Sequence, residues 1–192
     1  MLNKQMQSES PQIHILRKSV IRSYTTILEC YLQDDYVQNT PVETINPRDP
    51  HNFKELDSMY LGVAVEMSLS QPHLFPQQAV QQFKLRCLDF LIEAAVQISK
   101  RFPMQNETFK HLEALDPAVV KEKSIQTLAP LMMNFPSLVS DEKRQKIDTQ
   151  WRILRNTHTT IVTENQTMTP IKFWMELKTK TLDETPGLSS QI

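Results

Sequence analysis

A chain of 192 residues with 40% apolar and 22% charged residues has the make-up of an ordinary foldable domain with enough length to bury a core, which argues against wholesale disorder or a fibrous repeat. The formal charge of −1 provides no molecule-wide field to gather phosphates, so any nucleic-acid contact must be local. Two glycines, Gly62 and Gly187, are too few for a phosphate-cradling loop, and a nucleotide-binding loop is excluded.

The opening MLNKQMQSESPQ lacks the apolar run of a secretory signal, and residues 1–10 read as disordered. From Pro11 to about Gln38, the residues Ile13, Leu16, Val20, Tyr24, Ile27 and Tyr31 recur at steps of three and four, with Lys18, Arg22, Thr26 and Glu29 opposite. That spacing predicts one long amphipathic helix. Residues 39–57, with three prolines among Asn, Asp and Thr, read as a loop or exposed linker. Leu61, Val63, Val65, Met67 and Leu69 alternate as a strand would. A lone strand has no ladder partner, so a short helix is the better expectation here.

Between Pro76 and Arg101, one stripe holds Val80, Phe83, Cys87, Leu91, Ala94 and Ile98, and a second holds Leu85, Ile92 and Val96. Only Arg86, Asp89 and Glu93 form a polar edge, so this helix is expected to be the buried centre of the domain. Shorter helices are then signalled at Asn106, at Asp116-Pro117 and at Ser124 by residues that cap helix starts. Ser140, followed by Asp141 and Glu142, opens a helix with the apolar stripe Ile147, Trp151 and Leu154, its acids placed at the positive helix end. After the polar run 157–168, Thr169-Pro170 restarts a helix carrying Ile171, Phe173, Trp174, Met175 and Leu177, and 181–192 read as a frayed end. The expected fold is all-α: an irregular multi-helix bundle with one long N-terminal helix and a buried central helix. No stretch approaches the roughly 20 apolar residues that span a bilayer, so no membrane partner is expected and the chain reads as soluble and intracellular.

Chemistry is thinly signalled. Asp34-Asp35 are helix neighbours about 100° apart and cannot converge on one metal or proton. The histidines His14, His51, His73, His111 and His158 have no partner at metal-ligand spacing, and no GxSxG elbow occurs. Cys30 and Cys87 read as buried reduced thiols. The sharpest pattern surrounds Trp151: Lys143, Arg144, Lys146, Arg152 and Arg155 form a basic helix bearing an aromatic, able to touch phosphates while stacking on an unpaired base. Arg144, Trp151, Arg152 and Arg155 are therefore the candidate nucleic-acid-binding residues. Against this stands the stripe Ile147–Trp151–Leu154, which makes Trp151 a core residue, with Asp148 one turn from both Arg144 and Arg152 for intrahelical pairing.

The order IHILRKSV, YLGVAVEMSLS, LRCLDFLIEAAVQISKRFP, NETFKHLEALDPAV, LAPLMMNFPSLV, DEKRQKIDTQWRIL and TPIKFWMELK resembles the central region of hAT-superfamily transposase-like proteins, over about residues 10–180. The most specific pieces are KRFP, LEALDP at Leu112–Pro117, the Phe135-Pro136 break and Asp148-x-x-Trp151-Arg152. The resemblance implies a helical insertion domain, residues 11–180, within an RNase H-like catalytic domain whose catalytic acids lie outside this segment. It further implies a non-catalytic fragment that frames the catalytic domain and contacts DNA locally, with no cofactor, no small-molecule substrate and a nuclear location. Its partners would be DNA and the missing parts of the parent protein; a domesticated module binding a nuclear protein without DNA is the alternative.

Overall fold

The computed structural model describes residues 12–71, 75–122, 124–156 and 169–184. These residues form an all-α fold with no strand among them. Among the described residues nine α-helices follow one another: α1 (Ile13–Glu29), α2 (Asp34–Asn39), α3 (Val63–Leu69), α4 (Gln77–Arg101), α5 (Glu107–Leu112), α6 (Pro117–Glu122), α7 (Ala129–Asn134), α8 (Asp141–Asn156) and α9 (Pro170–Glu184). The disordered start expected over 1–10, the polar run 157–168 and the histidines His73 and His158 lie outside the described residues. α9 runs four residues into the segment expected to fray, and 185–192 lie outside the described residues. The helical domain expected over 11–180 divides into two compact units: 16–106 form one, and 12–15 with 107–184 form the other.

In the first unit, α1 buries Val20, Tyr24 and Leu28, one per turn along a single line, as the sequence spacing requires. They meet Val37, Ile45, Met59, Ala95 and Met104, with Leu91, Ile92, Ile98 and Phe102 packed alongside. Each fully buried aliphatic side chain contributes about 1.5–3 kcal/mol. The helix is shorter than its periodicity predicts, ending at Glu29 where continuation to Gln38 was expected. Three backbone bonds from a distant segment explain the break: Gln33 N–H donates to Asn52 O (2.9 Å), Lys54 N–H to Tyr31 O (2.7 Å), and Tyr60 N–H to Cys30 O (2.9 Å). They form an isolated antiparallel bridge, Leu32 to Phe53, and take up the Cys30 and Tyr31 carbonyls and the Gln33 N–H, although Leu32 N–H still donates to Leu28 O (2.8 Å). Lys54 Nζ also donates to the Glu29 carbonyl (2.7 Å) and pairs with Asp34 (2.8 Å), so it satisfies one terminal carbonyl of α1 and fixes the acid that opens α2.

The expectation of an exposed linker over 39–57 is corrected. This loop is folded into three 3-10 turns, Val42–Thr44, Pro50–Asn52 and Leu56–Ser58, and it buries Ile45 and Pro47. Its prolines and Asx turns supply local order: Asp49 accepts from His51 N–H (3.1 Å) and from Asn52 (2.9 Å). Arg17 ties it down from α1 by pairing with Glu43 (2.9 Å) while donating to Met104 O (3.2 Å). The short helix expected near residue 65 is present as α3, entered through Gly62 at φ 100° and ψ 146°, a backbone region essentially reserved for glycine.

The central helix α4 is the main correction to the sequence reading. Only Ala95 and Val96 are fully buried, whereas Phe83, Leu85 and Phe90 are exposed. Periodicity counts apolar residues without counting what is available to cover them. The core of this unit takes in α4 from Cys87 and Leu88 onward. The thiols differ too: Cys30 and Cys87 are half-buried and unbonded to each other, with Cys30 donating to Thr26 O (3.2 Å).

In the second unit, α5 packs on α7, while α6 and α7 pack on α8. Asp116 caps α6 as read from sequence, accepting from Ala118 N–H (3.0 Å). Thr169 does the same for α9 at Lys172 N–H (3.4 Å). The start signalled at Ser124 is displaced: α7 begins at Ala129, and Thr127 accepts from its N–H (3.1 Å). His14, in the first turn of α1, is buried at 7% exposure. Burial holds its imidazole below the usual 6.5, and the nearby Asp116 carboxylate opposes that shift.

Because the folded pKa lies below the unfolded one, the unfolded chain takes up this proton first. The contribution of His14 to stability is therefore complete above about pH 6.5 and declines as pH falls from there through the folded value. Urea midpoints should drop more steeply on acidification from pH 7 in the native chain than in His14→Gln. Parallel curves would show that His14 is as easily protonated folded as unfolded.

Candidate nucleic-acid interface on the eighth helix

The helix α8 starts at Asp141 as expected, with Asp141 and Glu142 in its first turn. Its apolar stripe directs Trp151 inward to 3% exposure, against Ala114, Val120, Ile125, Leu128, Leu154 and Trp174. The indole N–H donates to Ile125 O (3.0 Å). One turn earlier, Asp148 accepts from the Thr127 hydroxyl (2.5 Å) and from Leu128 N–H (2.9 Å). One turn later, Arg155 Nη1 donates to Gln126 O (3.0 Å).

Asp148, Trp151 and Arg155 thus line one side of α8 and grip the non-helical segment 125–128 by its backbone. That segment has no ladder of its own, so α8 side chains supply the partners its N–H and C=O groups need. The anchoring is non-local, and the sequence shows only half of it. Placing Trp151 on the stripe with Ile147 and Leu154 identifies it as core, whereas nothing in the spacing shows which carbonyls it and Arg155 reach.

The candidate residues fall out accordingly. Trp151 is not available for stacking on a base, because its ring is enclosed and its only polar atom is engaged. Arg144 pairs with Asp141 (2.9 Å, i to i+3) and not with Asp148, and its Nε is buried without a hydrogen bond. Arg152 pairs with Asp148 (3.4 Å, i to i+4) as expected, and its side chain remains two-thirds exposed. Of the four, only Arg152 presents most of its length to solvent, with Lys143 and Lys146 exposed on the same helix. The set does not converge on a phosphate or a base.

α9 shows a comparable division. Phe173 is buried and meets Trp174 edge to face (5.1 Å, 87°), while the Trp174 indole donates to Leu115 O (2.9 Å). The opposite side leaves Ile171 and Met175 exposed at 55% and 65%. In the same unit Met133, Leu138 and Ile153 are exposed as well.

Elsewhere the functional signals are slight. Asp34 is held by Lys54, which gives that member of the Asp34-Asp35 pair a structural partner. Among the described residues no three or more His, Cys, Asp or Glu side chains converge as metal ligands would, and no helix is long and apolar enough to cross a membrane. Compared with protein-family models, curated proteins and solved structures, the chain matches none.

Proposed function

We propose that this chain is a helical insertion segment of a hAT-superfamily transposase-like protein, acting without catalysis of its own to pack against and frame an RNase H-like catalytic domain in the nucleus. The order of motifs from IHILRKSV to TPIKFWMELK supports the family, and the all-helical fold agrees with an insertion. The observation that carries the packing role is α9. Its inner face is seated in the core through Phe173 while its outer face offers Ile171 and Met175 to solvent. Large apolar side chains one turn apart on an otherwise anchored helix are the pattern of a surface covered in a larger assembly.

The reading favours packing over DNA contact, since Trp151 and Arg155 are committed to segment 125–128. Co-expression with a hAT-type RNase H-like domain lacking its own insertion should yield a soluble complex. Burying two such side chains is worth several kcal/mol, so Ile171→Asp with Met175→Asp should weaken that complex at least about tenfold, with the helix content of the free chain unchanged. No complex, or one indifferent to both substitutions, would remove the packing role. Salt-sensitive binding of hairpin DNA lost in Arg152→Ala would instead support the DNA-contact alternative.

A further inference from the structure

The exposed face of α4 has a symmetry that its burial pattern does not require. Phe83 and Phe90, 42% and 72% exposed, lie two turns apart on one line of the helix. Ala79 and Ala94 stand four residues outside them, and Arg86 with Cys87 stand midway. About the point between Arg86 and Cys87 the outer positions of the stripe read alike in both directions, alanine answering alanine and phenylalanine answering phenylalanine, while the two innermost residues differ. Arg86 and Asp89 are both exposed on one flank of this stripe. They are three residues apart, yet neither side chain forms an ion pair or a hydrogen bond among the described residues. The two charges nearest them on the helix are engaged, Lys84 with Asp57 (2.8 Å) and Glu93 with Arg48.

We propose that α4 pairs antiparallel with α4 of a second copy of this chain, about a two-fold axis passing between Arg86 and Cys87. A two-fold interface must be complementary to itself, with the same patch on both sides, and this stripe meets that condition. Antiparallel pairing sets Phe83 against the partner's Phe90 and the reverse, while the alanines at both ends allow the backbones to approach. Helical side chains lean toward their own N-terminus, which carries each Arg86 toward the partner's Asp89 along one flank of the seam. Both unpaired charges are thereby matched twice. On the other flank the two Cys87 residues meet beside the axis. Their Cα atoms fall about 6 Å apart for helices packed at roughly 9 Å, inside the range a disulfide spans. A single helix pair is small against the roughly 1,600 Å² of a standard interface, so the dimer dissociates on dilution. The pairing rests on α4 alone and is separate from the packing role assigned to α9.

Sedimentation velocity of the full chain across a wide concentration range should show a monomer–dimer equilibrium. Phe90→Glu should abolish it. Arg86→Asp and Asp89→Arg should each weaken it about tenfold, and the two together should restore it, because the exchanged charges meet again across the axis. In a Cys30→Ser background, mild oxidation should link two chains through Cys87. A chain that stays monomeric at every concentration overturns the proposal. So does a dimer that survives Phe90→Glu, or one that the double charge exchange fails to restore while helix content is unchanged.

Discussion

Trp151→Ala should cost the second unit about 3–5 kcal/mol, the range for removing a large aromatic from a packed core. The ring is 3% exposed and touches both α6, through Val120, and the 125–128 segment, through Ile125 and Leu128. Its loss would open a cavity lined by residues from three parts of the unit. It would also leave the Ile125 carbonyl without its indole donor, adding a desolvation penalty to the cavity. Trp151→Phe should recover much of the packing but not the hydrogen bond, placing it between the native chain and alanine. Urea unfolding followed by far-UV circular dichroism gives both differences. A cost below about 1 kcal/mol for alanine, within the scatter of surface substitutions, would mean that the ring is not enclosed. Base stacking would then return as its role.

The same residue shows where sequence reasoning reaches its limit. Trp151 could be placed in the core because Ile147 and Leu154 share its helical face, and a face is a local property. Caps were legible for the same reason: Asp116 and Thr169 act on N–H groups two or three residues away. The end of α1 was not legible, because Asn52, Lys54 and Tyr60 engage the Gln33 N–H and the Tyr31 and Cys30 carbonyls from outside. Asp148 illustrates both cases at once. Its pair with Arg152 follows from i,i+4 spacing, but its bonds to Thr127 and Leu128 cross twenty residues. α4 failed in the opposite sense, since its apolar periodicity was read correctly and its cover was assumed. An apolar face in sequence says that something should bury it, not that the same chain does.

Tyr31→Ala should destabilise the first unit by a similar amount, about 3–5 kcal/mol, and the loss should be concentrated in the loop that α1 carries. Tyr31 is fully buried. Its ring meets Phe53 edge to face at 5.6 Å, and its hydroxyl donates to Pro47 O at 2.9 Å. One side chain therefore holds two points of the 39–57 loop against the residues following α1, and its own carbonyl accepts from Lys54 N–H. Burial pushes the phenol pKa well above its ordinary value, so the hydroxyl remains a donor through the alkaline range. Tyr31→Phe keeps the ring contact and strands only the Pro47 carbonyl, at about 1–3 kcal/mol. Hydrogen exchange separates the two effects. In the alanine variant the amides of Gln33, Lys54 and Tyr60 should lose protection well before those inside α1, whereas phenylalanine should leave their order unchanged. Equal loss along the whole of α1 and the loop would instead make Tyr31 a general core residue, and the loop would owe its order to Arg17 and its own turns.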